Sequence, residues 1–330
     1  NTCFADFKSE KNKIYYALSG IKSVGHESIS NLVQEREKNG SFKSLNNFIK
    51  RANPKDINKL QLEGLVKAGA FDSLETNRHS LLNSIPRLIQ INKSLWEEKV
   101  SNQNSLFSTK SEEEETIFEL EKTKHWSKNE VLMNEFHSIG FYMSDHPLNI
   151  YKDYFEESKI HSFADFMNGS DSNSLIAGTI MSIQEKKSAK GNPFSIIKFT
   201  DLKSEFELFL FSDLLISNRD KLKTANSFVI TLQKDFVSEG GPTRRVNIRN
   251  IIPLDNFVKK SYDSVTIEIN GKSNLNELQE LLKEDGETKI QIRVKRESKV
   301  YIFSLKKPRK FNFNTFSNIR NKEYVKKVSF

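Results

Sequence analysis

The chain has a single cysteine, Cys3, so it cannot build a disulfide framework, and a reducing compartment suits it best. It has no apolar run near the roughly 18 residues that a membrane-spanning helix needs, and its N-terminus lacks the apolar core of a signal peptide. These absences point to a cytoplasmic protein with no membrane partner. The six histidines (His26, His79, His125, His137, His146, His161) are widely spaced, which with one cysteine argues against a zinc site. No two aspartates form an Asp-x-Asp pair, the simplest two-metal phosphoryl-transfer signature. There is no nucleophile elbow. The stretch "INGKSN" fails as a phosphate-binding loop, because that motif needs a glycine five residues before Gly271 and Thr266 stands there. The expectation is therefore no catalytic residue, no metal site and no cofactor in this chain. The first residue is Asn rather than Met, which suggests an excised piece of something longer.

What is present suggests several domains. At about 100–200 residues per domain, 330 residues give two or three. Hydrophobic residues make up 36% and charged residues 28%, enough for real cores under a well-solvated surface. Net charge is +8, and +7 of it falls from Lys306 onward, where eight basic residues face one acid, Glu323. A basic tail interleaved with Phe311, Phe313 and Phe316 suggests phosphate or an acidic protein surface as partner.

Hydrophobic spacing divides the chain. In "GHESISNLVQEREKNG", Ile29, Leu32 and Val33 lie at helical spacing, and Gly40 follows as a stop. "SFKSLNNFIKRA" and "NKLQLEGLVKAGAFDSL" repeat the pattern, giving a compact helical module. A polar stretch, "SNQNSLFSTKSEEEET", then precedes a long helical pattern around "FELEKTKHWSKNEVLMNEFHSIGF". From Ser174 the period changes to two, with five strand candidates and a short helical segment before the fourth, the order of an OB-fold barrel. After Pro253 come a strand, a helix and two strands, a small α/β unit with the basic tail attached.

Three local patterns carry chemistry. The turn Gly20-Ile21-Lys22-Ser23-Val24-Gly25 leads into a helix beginning near His26. Backbone N–H groups at such a start can hold a phosphate oxygen, as a helix-hairpin-helix element does, although a plain turn between packed helices has the same local pattern. "LVKAGAFDSL" could be a degenerate second copy. The loop "EKKSAKGN" puts Lys186, Lys187 and Lys190 where OB-folds often meet single strands. Arg245, Asn247 and Arg249 share one face of the fifth strand. On the third strand, Phe206, Leu208 and Leu210 face one way and Phe209 and Phe211 the other; the second pair either stacks bases or covers a barrel end or neighbouring domain. Finally, Gln103, Leu106 and Phe107 form a Gln-x-x-Leu-Phe anchor in a polar segment, suited to a pocket on another protein.

The order of "YALSGIKSVGHESISNLVQEREKNGSFKSLNNFIKR", "LEGLVKAGAFDSLETNR" and "LMNEFHSIGFYMSDHPL", followed by five strands, resembles the C-terminal portion of the bacterial DNA polymerase III alpha subunits. The resemblance runs from about residue 1 through about residue 255, and the rest matches in position and general character. It implies catalytic aspartates and Mg2+ in a palm domain outside this chain. It further implies contacts with primer-template duplex, single-stranded template, the beta sliding clamp and the tau subunit of the clamp loader, in a nucleoid-associated replisome. Two departures stand out: Asp145 where the family usually has glycine, and Ser23 in place of a common hairpin glycine. If the backbone at Asp145 needs a positive φ, glycine would suit it better, while Ser23 is the milder departure because the flanking glycines persist.

The expected fold is multidomain α+β. Residues 1–95 would be the end of the fingers with tandem helix-hairpin-helix elements, and 96–172 a linker with the clamp motif and a helical segment. Residues 173–255 would form a five-stranded OB-fold β-barrel and 256–330 a small clamp-loader-binding α/β domain. Duplex contacts fall to Gly20, Lys22, Ser23, Gly25 and His26, and single-strand contacts to Lys186, Lys187, Lys190, Arg245 and Arg249. The alternatives are a stand-alone OB and helix-hairpin-helix protein of repair or RNA metabolism, or an error-prone paralogue of the alpha subunit, which is expected to lack the clamp motif and tail.

Overall fold

A computed structural model describes residues 1–10, 12–101, 118–236, 243–270, 275–296 and 299–330. They fall into two compact units, Asn1–His146 and Pro147–Phe330.

The first unit opens with an antiparallel hairpin, β1 (Lys8–Glu10) and β2 (Lys13–Tyr15). Helix α1 (His26–Asn39) buries Ile29 and Leu32, as their spacing requires, and ends at Gly40. Helix α2 (Leu45–Arg51) starts where the Ser44 hydroxyl accepts the Asn47 N–H, and α3 (Lys59–Lys67) starts where the Asn58 side chain accepts that of Gln61. Hydrophobic spacing did not announce α4 (Arg78–Ser101), which holds Pro86 in its interior. Burial of Leu81, Ile85 and Leu88, on a helix packed against α2 and α3, outweighs the proline's missing donor.

The long helical pattern expected around residues 118–141 contracts to α5 (Lys128–Ile139). Ser127 and Glu130 form a reciprocal capping box that fixes its start. The preceding segment is held in non-helical form by side chains of other elements. Asn46 accepts the Phe118 N–H at 2.9 Å, Ser84 that of Glu121 at 2.9 Å, and Ser80 that of Thr123 at 3.2 Å. Tertiary hydrogen bonds here override a local propensity.

The second unit begins with α6 (Lys152–Glu157), β3 (Ile160–His161) and α7 (Phe163–Asn168). The five expected strands are β4 (Asn173–Lys187), β5 (Pro193–Thr200), β6 (Glu205–Phe211), β7 (Ser227–Phe236) and β8 (Thr243–Pro253). Helix α8 (Ser212–Asn218) lies between the third and fourth. They pair antiparallel in the order β6-β5-β4-β7-β8, with β3 added parallel to β4. Among the described residues no pairing joins β6 to β8, so hydrogen bonding does not close the sheet into a barrel. Phe199, Phe206, Leu208, Leu210 and Ile230 fill the core beneath it.

After α9 (Leu254–Phe257), a second, mixed sheet takes the order β11-β10-β9-β12. Strand β9 (Ser264–Asn270) crosses by α10 (Leu275–Leu281) to its parallel neighbour β10 (Asp285–Arg296), which pairs with β11 (Lys299–Ser304). The segment read as a basic tail is integral to this fold. It supplies α11 (Phe313–Arg320) and β12 (Val325–Ser329), the latter antiparallel to β9. Phe311 and Phe316 are core residues packed with Tyr154, Ile267 and Ile319, so those two aromatics are there for burial and not to meet a partner.

Candidate nucleic-acid interface

The hairpin before α1 follows from two apolar residues flanking two polar ones. Ile21 and Val24 are buried, while Gly20, Lys22, Ser23, Gly25 and His26 are exposed together at its tip. A short 3-10 turn, Leu18–Gly20, feeds the loop, and the Val24 N–H closes it on the Ile21 carbonyl at 3.2 Å. Two helices hold the loop from beneath. The Lys22 N–H donates to the Ser138 carbonyl of α5 at 2.9 Å, and the loop rests on α3 at Gly64. A Cβ at residue 64 would sit 2.8 Å from the Lys22 carbonyl oxygen, so only glycine allows this approach.

The left-handed residue of the hairpin is Ser23, at φ 64°, and not either flanking glycine. Gly25 is the N-cap of α1 at φ −77°, and no side chain caps that helix start. Its first N–H groups therefore have no side-chain cap, and the ammonium of Lys22, three residues before Gly25 in the chain, has no ion pair among the described residues. His26 is engaged within the chain, its Nε2 3.0 Å from an Asp6 carboxylate oxygen. The concern over Asp145 is resolved differently: its backbone is not left-handed, and its carboxylate pairs with Lys128.

The turn after α3, the possible second copy, is occupied from within the chain. Arg78 places its guanidinium where a side chain at Gly69 would project. It donates to Asp72 at 2.6 and 2.8 Å and to Glu135 at 3.0 Å. Burial opposes the Arg78 charge, but the bonds to the two carboxylates outweigh it and raise its pKa. Glu135 is buried on α5 and also accepts from the Ser144 hydroxyl at 2.8 Å and the Ser144 N–H at 3.2 Å. Nothing in the sequence links residues 78 and 135, because their meeting depends on how α4 and α5 pack.

In the second unit, Lys186 and Lys187 end β4, and Lys190 lies in a turn closed by the Gly191 N–H on the Ser188 carbonyl at 2.8 Å. None of the three lysines engages a carboxylate among the described residues. Arg245 and Arg249 lie on β8, separated from β4 by β7 in the strand order. Both are engaged: Arg245 Nε donates to Asp235 at 2.7 Å, and Arg249 Nε to the Gln233 side chain. The Arg245 bond is the main cause holding the Asp235 carboxyl below its usual pKa. Phe209 and Phe211 are exposed at 46% and 60%, opposite the buried Phe206, Leu208 and Leu210. Gln103, Leu106 and Phe107 lie outside the described residues. Among the described residues no group of three or more His, Cys, Asp or Glu could hold a metal ion, and no helix is long and apolar enough to cross a membrane.

A polar hairpin tip ahead of an uncapped helix, seated on two further helices, defines a helix-hairpin-helix protein, and residues 1–81 match the family model described as a helix-hairpin-helix motif. The DNA polymerase III subunit alpha of Rickettsia bellii is 35% identical over 233 residues, 70% of this chain and 20% of that protein. That of Rickettsia conorii is 33% identical over 262 residues, 78% of this chain and 21% of its own length. That of Borreliella burgdorferi is 29% identical over 295 residues, 86% of this chain and 25% of its own length. The chain belongs to the DNA polymerase III alpha-subunit family, as its motifs indicated, and it spans about a fifth to a quarter of the length of these relatives.

Proposed function

We propose that this chain is the DNA-holding and processivity part of a replicative DNA polymerase, the C-terminal portion of an alpha subunit, with synthesis carried out in a palm domain that binds Mg2+. The hairpin at Gly20–His26 grips duplex backbone without reading bases. The observation that carries this is the exposed Lys22-Ser23 tip beside the uncapped start of α1, held rigidly on α3 and α5.

Strands β4–β8 act as an OB-fold. Their order, the helix before the fourth strand, and the approach of β6 to β8 support that reading. Lys186, Lys187 and Lys190 meet single-stranded template, with Arg245 and Arg249 on the same domain. Gln103, Leu106 and Phe107 tether the beta sliding clamp, and residues 256–330 meet the tau subunit of the clamp loader. The protein works in the cytoplasmic, nucleoid-associated replisome.

Titrating the chain with a labelled duplex at several salt concentrations tests the hairpin assignment. K22A should weaken binding and flatten the salt slope by about one unit. An unchanged slope would overturn the hairpin assignment.

A further inference from the structure

We propose that Phe194, Phe209 and Phe211 form a platform on which the bases of a single strand stack, an inference that rests on the single-strand reading above and extends it from phosphate to base. Strand register brings the parts together. Lys186 is opposite Phe194, which is opposite Phe211, so one row across β4, β5 and β6 carries a lysine and two aromatic rings. The next row on the same face is Gln184, Ile196 and Phe209.

The three rings lie 6.1–6.5 Å apart, centroid to centroid, with planes inclined by 16–32°. They are therefore close to parallel. The core beneath is already filled by Phe206, Leu208 and Leu210, so Phe209 and Phe211 do not serve it. Exposed neighbouring aromatics of this kind mark a binding face.

The surrounding charges favour a nucleic acid over a protein partner. Lys186 shares the platform face, and Lys187 and Lys190 follow it into the adjoining strand end and loop; none of the three meets a carboxylate among the described residues. Glu185, one residue away, is neutralised by Arg219 at 2.6 Å. At the opposite end Glu205 pairs with Lys198 at 2.6 Å, and Glu207 stands opposite Lys198 in the register. Phosphates are thus drawn to the loop end and repelled past Glu207, which confines the stacked bases to the three rings. Flat, sequence-tolerant stacking beside lysines is how non-specific single-strand sites are built.

The test uses the full chain with two labelled probes of equal length, a deoxythymidine oligomer and an abasic deoxyribose-phosphate oligomer. The wild type should prefer the thymidine oligomer by about tenfold or more. F209L/F211L should lose that preference while binding the abasic oligomer with an unchanged salt slope, and F211W should retain it. Retention of the preference by F209L/F211L overturns the platform. If wild-type binding depends on Lys186, Lys187 and Lys190 but ignores the bases, the platform alone falls. If the wild type binds neither probe, the single-strand reading falls with it. A change confined to self-association in F209L/F211L identifies the occupant as a second copy and also overturns the proposal.

Discussion

The carbonyl oxygen of Lys22 lies 2.8 Å from where a Cβ on Gly64 would stand, so the hairpin tip and α3 meet backbone to backbone. In an exposed helix interior, alanine for glycine stabilises by roughly 0.5–1 kcal/mol. Here the sign reverses, because the neighbour is backbone that cannot swing aside. G64A should destabilise the first unit by about 1–3 kcal/mol, as overpacking does, and weaken duplex binding by displacing Lys22. Thermal unfolding monitored with a duplex titration checks both; a stabilised G64A with normal binding refutes the contact.

Ser23 carries the only left-handed backbone in that hairpin, at φ 64°. A β-branched residue fits this conformation poorly, and a left-handed L-residue costs roughly 1–2 kcal/mol. S23V should lower the melting temperature and loosen duplex binding. S23G should stay within about 1 kcal/mol of wild type, because relief of strain is offset by greater freedom in the unfolded chain. Equal melting of S23V and wild type would count against the loop conformation.

Arg78 and Glu135 join α4 to α5 at 3.0 Å with Glu135 buried. Removing one partner of a buried pair leaves an uncompensated charge, which costs about 3–5 kcal/mol. R78M should reach that range, and R78M/E135Q should recover much of it. A double-mutant cycle in urea unfolding measures the coupling, and additive effects would refute it.

Much of this architecture was legible in the sequence, and the misses have physical causes. Period-two alternation in "EFELFLF" placed Phe206, Leu208 and Leu210 inside and Phe209 and Phe211 outside, because each strand residue faces the opposite side from the last. The helix buried by Ile29 and Leu32 was equally plain. Composition misled at the C-terminus, where basic residues on α11 and β12 decorate elements whose Phe316, Ile319 and Val328 are core. Residues 118–127 misled for another reason: their partners Asn46, Ser80 and Ser84 are far away in sequence. Ser23 stood out only as a departure from a common hairpin glycine, and its left-handed φ was not legible in a residue type that rarely adopts it.

Leu106 and Phe107 are adjacent apolar residues in a polar stretch. Each apolar side chain contributes about 1.5–3 kcal/mol when fully buried, and the freedom lost on association offsets part of it. The proposed clamp contact should therefore be weak in isolation, on the order of micromolar or poorer. L106A/F107A should abolish clamp pull-down and leave duplex binding intact. Retained pull-down would move the contact elsewhere in the chain.

Tyr142 provides the pH test. Burial pushes its phenol up to about 12, and its hydroxyl is buried without a hydrogen-bond partner among the described residues. The fold therefore favours the neutral phenol, whereas the unfolded chain releases that proton near pH 10. The resulting stability is fully present below about pH 10 and lost as pH rises through about 12. Y142F cannot ionise and removes an unsatisfied buried hydroxyl, so at neutral pH it should match or exceed the wild type. Tyr154 and Tyr262, also raised chiefly by burial, remain in both proteins, so the comparison between wild type and Y142F isolates one phenol. Melting temperatures from pH 8 to 12 should diverge, with Y142F losing less stability above pH 10. Parallel curves would show that Tyr142 reaches solvent in the folded chain.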